Sequence, residues 1–284
     1  MAGDGRAQEL ATHYALCETA LRESDRDLWL AALYAPAARR KHLHALGAFA
    51  REIADIPAKV TQPLLGEMRL QWWADTLATP QAEDGARAHP VADALLDTLG
   101  ACGLDPQSFA DFLHAHIADL YDDPLEDMAA LLAHCDATGA QRLRWSARAL
   151  GGSGEHAALT QAGAALGLAG ALLRLPRGGG QFLPKDLLER HGVARQDVIA
   201  GVDGPALRAA LAELRGLAQQ RFEAARNAAP GADEATRIAL LPAASLPLYL
   251  ARMAARDYAP FGVFDEPSAL RRQWRLWLAA RRGL

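Results

Sequence analysis

The sequence has 284 residues, of which 51% are hydrophobic, 23% are charged and 6% are aromatic, a composition typical of an ordinary soluble globular chain. Thirty basic residues against 34 acidic ones give a net charge of -4. This balance argues against a dedicated nucleic-acid-binding protein, because phosphate neutralisation needs a concentrated excess of Lys and Arg.

Nothing in the sequence indicates secretion or a metal framework. The opening segment MAGDGRAQEL lacks the basic and apolar regions of a signal peptide. No apolar run reaches the roughly 18 residues that a membrane-spanning helix needs. Cys17, Cys102 and Cys135 lie too far apart to indicate a zinc site or a disulfide framework. We therefore expect a cytoplasmic protein.

The hydrophobic pattern predicts an all-α protein, since apolar residues recur at spacings of three and four and no stretch alternates with a period of two. The predicted helices cover about residues 7–22, 24–34, 37–56, 63–79, 90–102, 105–122, 125–150, 155–175, 184–191, 204–228, 233–257 and 267–282. The glycine-rich breaks between helices are short, so we expect a single domain over residues 1–284.

Local signals mark several helix ends. Ser24 with Asp27 three residues later resembles a capping box. Asp105 before Pro106 is typical of an N-cap followed by proline at the first helical position. Gly192 is placed to end a short helix in the left-handed conformation.

Three polar clusters each allow two interpretations. The acidic run Asp122–Asp127 could chelate Mg²⁺, but a proline divides it, and acids at a helix start suit the helix dipole. His116, Asp119 and Asp123 could hold a transition metal on one helix face, although a solvated polar stripe is the simpler interpretation. The glycines at 178–180 could cradle a phosphate, but they lack the G-K-[ST] ending of a P-loop, so we interpret them as a connector.

Two further segments differ from a plain apolar core. In the predicted helix 37–56, a polar seam could run along one face through Arg40, His44, Arg51 and Asp55. The second segment, residues 174–193, reads RLPRGGGQFLPKDLLERHGV and contains a short helix that opens at its second proline.

These two segments resemble the squalene/phytoene synthase family. In that family an arginine-rich helix start leads into A-L-Y-A-F-C-R and then an aspartate motif, D-D-x-x-D; residues 39–58 match this stretch. The family's G-R-x-Y-L-P element, which ends in G-V, is matched by residues 181–193. The resemblance spans roughly residues 25–280. It implies an isoprenoid synthase-type helical bundle around a central cavity, whose mouth would carry the ligand-binding residues Tyr34, Arg39, Arg40, Arg51, Asp55 and Arg174.

The sequence departs from the family where its chemistry resides. In active members, two facing aspartate motifs hold the Mg²⁺ ions that bind the diphosphate. Here Ala54 and Ala58 replace two aspartates of the first motif and leave Asp55 alone, and Leu175 stands where the second motif begins. One carboxylate cannot organise two or three Mg²⁺ ions, since each hard cation needs several oxygen ligands. We therefore expect no catalytic residue, no metal ligand and no cofactor.

A branch of this family that includes a mitochondrial complex I assembly factor also lacks these aspartates and shares G-x-M-R-x-Q-x-W, which matches residues 66–73. The resemblance implies a non-catalytic protein that binds an isoprenoid or other apolar ligand, or a partner protein in respiratory-complex assembly. One alternative is an active prenyltransferase that condenses farnesyl or geranylgeranyl diphosphate at an unusual Mg²⁺ site. The other is a structural interaction protein with a filled core.

The last predicted helix is amphipathic, with Trp274 and Trp277 on its apolar face and arginines beside them. This pattern suits peripheral contact with the inner face of an anionic membrane, or contact with a partner. The alternative is that the apolar face docks on its own domain, as amphipathic helices commonly do. The compartment expected from the sequence stays the cytoplasm in either case.

Overall fold

A computed structural model describes residues 2–78 and 89–284. The described residues form helices and turns but no β-strand, so the all-α prediction is confirmed. In chain order the α-helices are α1 (Ala2–Ser24), α2 (Arg26–Ala32), α3 (Ala37–Ala54), α4 (Ile56–Lys59), α5 (Pro63–Ala78), α6 (Pro90–Cys102), α7 (Pro106–Ala115), α8 (Met128–Cys135), α9 (Gln141–Ala149), α10 (Ala157–Arg174), α11 (Lys185–Arg190), α12 (Arg195–Ile199), α13 (Pro205–Ala228), α14 (Glu234–Leu240), α15 (Leu246–Met253) and α16 (Ala269–Arg282).

The described residues pack into two compact units. The first unit contains α1 to α7, most of α9, and α14. The second contains α8, α10 to α13, α15 and α16. The single domain expected over residues 1–284 from the short breaks between helices stays a prediction.

An aromatic cluster forms the core of the first unit. The Phe49 ring of α3 lies with its centroid 5.0 Å from that of Trp73 and 5.7 Å from that of Phe109. Phe109 in turn stacks on Trp145 at 3.9 Å. The Trp145 indole nitrogen donates a hydrogen bond of 2.8 Å to Ser108 Oγ, so its one polar atom is satisfied within the core.

The second unit depends on a close approach between α10 and a π-helical turn over Asp136–Ala140. A Cβ atom added to Gly163 of α10 would lie 2.1 Å from the Ala140 Cα atom. The sequence predicted one uninterrupted helix over 125–150. The structure instead divides this stretch into α8, the π-helical turn and α9, and π-turns of this kind insert one residue into the helical ladder.

Two of the predicted helix ends are confirmed and one is wrong. Asp105 accepts a hydrogen bond of 3.0 Å from Gln107 N, and Gly192 has a φ of 65° after α11. The Ser24 capping box does not form, because α1 continues through Ser24 and its hydroxyl donates back to the Ala20 carbonyl. Asp25 caps α2 instead, accepting a hydrogen bond of 3.0 Å from Leu28 N.

The acidic run is used for local structure. Asp127 is the N-cap of α8 and accepts a hydrogen bond of 2.8 Å from Ala130 N. Glu126 forms an ion pair of 2.6 Å with Lys185. Within residues 2–78 and 89–284, no group of three or more His, Cys, Asp or Glu side chains is arranged to hold a metal ion.

By length and composition, one helix among the described residues could cross a membrane. It comprises α10 and the turn after it, Ala157–Arg177, and 61% of its apolar window is buried inside the protein. The sequence analysis expected no such helix. A buried core helix has the same length and composition, so this finding is weak evidence for a membrane span.

The approach of α10 to the π-helical turn generates a stability prediction. We expect Gly163→Ala to lower the free energy of unfolding by about 1–3 kcal/mol, because the new methyl group must displace the Ala140 backbone. Gly170→Ala in the same helix is the matched control, since its Cβ would meet nothing within 4 Å. The control should be neutral or should stabilise by up to about 1 kcal/mol through helix propensity. Urea denaturation of both variants measures the difference, and equal effects would contradict the packing described here.

Candidate ligand-binding site

Most of the predicted ligand-binding residues lie at the two ends of α3. Residues 42–50 are buried, so the charged side chains can lie only before and after this stretch. Arg40 and Arg51 share one face of the helix but are eleven residues apart, which corresponds to about 16 Å along its axis. The charged side chains of the predicted polar face therefore form two separate groups, one at each end of α3.

At the far end of α3, the one carboxylate left in the first family motif is bound by arginine. Arg51 Nε donates to Asp55 Oδ2 at 3.0 Å, and Arg51 Nη2 lies 2.8 Å from Asp55 Oδ1. Paired contacts of this kind hold a carboxylate and a guanidinium in one plane. The pair is partly exposed, with 39% and 28% of the two side chains accessible. Asp55 is thus already paired with a side chain of the same protein.

A second carboxylate lies near this pair. Burial raises the pKa of Asp25, the cap of α2, and the guanidinium groups of Arg142 and Arg51 partly offset that effect. The positive charge of Arg51 therefore acts on two carboxylates: it pairs with Asp55 and also favours the charged form of Asp25, to which Arg142 contributes more. Sequence reasoning missed Asp25 and Arg142, because nothing in their local spacing indicates that the chain brings them to the end of α3.

The residues present do not fit the Mg²⁺ cluster that active family members carry. Ala54 is the last residue of α3 and Ala58 lies in α4, and a methyl group offers no oxygen to a cation. In the second unit, Leu175 is 97% buried and likewise has no ligand atom. No Asp or Glu occurs between Glu155 and Asp186. The donor set is therefore a single carboxylate already paired with Arg51.

At the start of α3, the side chains of Arg39 and Arg40 contact different parts of the first unit. Arg39 Nη1 lies 4.0 Å from the Cys102 sulfur of α6. Arg40 Nη2 donates to the carbonyls of Leu33 and Ala35 at 3.0 and 3.2 Å, and so ties the end of α2 to α3. Tyr34 lies between these two carbonyls in sequence and is 40% exposed. Arg39 thus faces α6, whereas Arg40 faces the loop that contains Tyr34.

A groove of about 580 Å³ lies between α1 and α3. Alanines of α1 line one side of the groove. Its polar lining comes from Tyr14, Glu18, Arg40, Lys41 and His44. Arg40 Nε and His44 Nε2 are buried without a hydrogen-bond partner among the described residues. An arginine Nε can only donate a hydrogen bond, so this donor is left unsatisfied in the buried part of the side chain. Sequence reasoning missed the α1 side of this groove.

Arg174 belongs to the second unit. Its guanidinium lies 4.8 Å from the centre of the Phe182 ring, in a cation–π arrangement. Burial raises the pKa of the neighbouring Cys135 thiol to about 12, although Arg174 opposes this effect. The predicted ligand-binding role of Arg174 stays a prediction, as it does for the five residues of the first unit.

The chain is similar in sequence to known proteins. The family model for squalene/phytoene synthase matches residues 21–278. A Bos taurus protein named NADH dehydrogenase (ubiquinone) complex I, assembly factor 6, is 26% identical over 262 residues, which cover 90% of this chain and 75% of that protein. The bifunctional protein CrtB/UppS of Streptomyces coelicolor is 36% identical, but over only 42% of this chain and 21% of its own length.

Solved structures show the same fold. A dehydrosqualene synthase in complex with ligand superposes with a TM-score of 0.78, covering 95% of this chain and 96% of that one at 19% identity. The squalene synthase HpnC from Alicyclobacillus acidocaldarius gives a TM-score of 0.71, covering 87% of this chain and 94% of that one, also at 19% identity. The isoprenoid synthase-type bundle predicted from the sequence is therefore confirmed.

The effect of the Arg51 charge on two carboxylates predicts that single substitutions of Arg51 and Asp55 differ in their cost. We expect Arg51→Gln to destabilise the protein more than Asp55→Asn at pH 7. Loss of the guanidinium leaves Asp55 without its ion-pair partner and also removes part of the positive charge that acts on Asp25, where Arg142 remains. The Asp55 change should cost less than about 1 kcal/mol, as for a partly exposed pair. Glu223→Gln, in the exposed pair with Arg226, is the matched control. Urea denaturation tests this order, and an equal or larger loss for Asp55→Asn would contradict it.

Proposed function

The chain belongs to the squalene/phytoene synthase family, and we propose that it is a non-catalytic member that binds a protein partner during the assembly of a respiratory complex. The single observation that carries the first half of the proposal is the state of Asp55. This last carboxylate of the family motif is bound by Arg51 and flanked by Ala54 and Ala58.

Chemistry explains why this arrangement disfavours catalysis. Departure of a diphosphate develops negative charge on the leaving group, which Mg²⁺ neutralises in active family members. Asp55 alone offers at most two oxygens, and both contact Arg51. Restoring a metal site would mean breaking that ion pair and adding ligands that Ala58 and Leu175 do not have.

The second half of the proposal is supported by the relatives named complex I assembly factor 6 and by an exposed apolar surface on α5. Leu64 and Met68 are each 62% exposed, and Trp72, one turn further on, is 40% exposed. Leu70 and Trp73 are buried on the opposite side of the same helix. An exposed apolar stripe on a helix whose other side packs against the protein is typical of a protein-binding surface.

An apolar or isoprenoid ligand is compatible with this proposal. The ligand-binding roles that the family resemblance implies for Tyr34, Arg39, Arg40, Arg51, Asp55 and Arg174 stay a prediction, because the first five lie at two separate ends of α3 and Arg174 belongs to the second unit.

The missing ligands predict that Mg²⁺ and pyrophosphate together do not stabilise the fold. Stabilisation by a ligand follows RT ln(1 + [L]/Kd) and vanishes when the ligand stays well below Kd. We expect a change in melting temperature below about 1 °C, and no product from farnesyl or geranylgeranyl diphosphate with Mg²⁺. An active dehydrosqualene synthase treated in parallel is the positive control. Time-dependent squalene, phytoene or a cyclopropyl diphosphate would overturn the proposal in favour of an active prenyltransferase.

The α5 surface predicts a separable effect on assembly. Deleting the gene in its source organism should lower the amount of assembled NADH:ubiquinone oxidoreductase severalfold, and the intact gene should restore it. The variant Leu64→Ser/Met68→Ser should fail to restore it at an unchanged protein level, because the exposed stripe is interrupted. Ile199→Ser/Val202→Ser removes exposed apolar side chains elsewhere and should restore assembly fully. An unchanged complex after gene deletion would contradict the assembly role.

A further inference from the structure

Helix α16 presents its aromatic face to the outside of the second unit. Its buried residues are Leu276 and Ala279, which face the protein. Leu270 is 77% exposed and Trp274 is 59% exposed. The alternative in which the tryptophan face docks on its own domain is therefore wrong for Trp274: the helix docks through its opposite side.

An apolar strip runs along α16, in which Leu270 and Trp274 are exposed and Trp277 and Leu278 are half-buried. Leu270, Trp274, Trp277 and Leu278 follow the spacing i, i+4, i+7 and i+8, which places them on one side of the helix. The rings of Trp274 and Trp277 stack, with centroids 4.9 Å apart. The exposed Trp274 has an apolar ring with one indole N–H group, which suits the polar–apolar boundary of a bilayer.

Positive charge flanks this strip without local compensation. The helix contains five arginines and no acidic residue. Arg272 turns inward, where Glu266 lies 3.0 Å from its Nη2. The outward arginines form no ion pair with any residue that the structure describes; they are Arg271, Arg275, Arg281 and Arg282. The Arg281 guanidinium instead lies 4.4 Å from the centre of the Trp277 ring.

We propose that α16 holds this protein against an anionic phospholipid membrane, with Leu270 and Trp274 entering the interface and the outward arginines contacting lipid headgroups. An acidic protein partner would use the same charges, but a buried hot spot needs a pocket to receive Trp274, and a lipid interface needs none. A bilayer accepts a convex aromatic strip along its whole length. The proposal does not depend on the proposed role in assembly.

The test is co-sedimentation of the full chain with vesicles. Vesicles of phosphatidylcholine with about a third phosphatidylglycerol should bind the protein at low salt, and pure phosphatidylcholine should bind it at least about tenfold more weakly. About 1 M NaCl should release it, because the screening length falls to roughly 3 Å. A supernatant that retains the intact protein at low salt would overturn the proposal, as would equal binding to both vesicles.

Two variants separate the apolar and charged contributions. Leu270→Ser/Trp274→Ser and Arg271→Gln/Arg275→Gln should each lower the partition onto anionic vesicles by about tenfold. Because these positions are exposed, neither variant should change the melting temperature of the protein. Ile199→Ser/Val202→Ser and Arg237→Gln are matched controls on exposed sites and should bind as the intact protein does. Undiminished binding of both α16 variants would show that another surface meets the membrane and would overturn the assignment.

Discussion

Helix α3 is buried on every side from His42 to Ala50, and the first unit is built around this constraint. A helix surrounded by protein can keep charged side chains only at its ends, since an unpaired charge inside the core costs several kcal/mol. The buried stretch contains two histidines, His42 and His44. His42 Nδ1 lies 2.9 Å from Thr98 Oγ1, and burial lowers the pKa of both His42 and His44, which favours their neutral forms.

In α3, the residues that pack the core are therefore different from the residues at the family's metal-binding positions. The aromatic cluster around Phe49 packs against the middle of α3, whereas Asp55 and Ala58 lie beyond its last residue, Ala54. Replacing a metal-binding aspartate by alanine at the helix end therefore leaves the core intact. The retained fold and the missing Mg²⁺ ligands are compatible because they depend on different parts of the same helix.

Exposed apolar stripes lie on α5 and α16, and each of these helices packs on the protein through its other side. In α5 the exposed stripe is nearly neutral, whereas in α16 it is flanked by uncompensated arginines. This difference in charge underlies the different occupants that we propose for the two helices. A neutral stripe suits a protein partner, and a cationic one suits a lipid surface.

The sequence by itself determined the helical class, most of the helix ends and the loss of the metal ligands. These features depend on local spacing, on caps such as Asp105, and on the plain absence of carboxylates at Ala54, Ala58 and Leu175. The resemblance to the family also located the end of α3 where Arg51 and Asp55 pair. Periodicity alone identified the apolar strip of α16 but could not say whether it faces inward.

Only the tertiary structure decided which neighbours these residues have. It turned Arg39 towards Cys102, brought Asp25 and Arg142 to the Arg51 end of α3, and divided the predicted helix 125–150 by a π-helical turn. It also placed Leu276 inside and Trp274 outside. Contacts between residues far apart in sequence set these outcomes. A helical pattern specifies which residues share a face, but it carries no information about what that face meets.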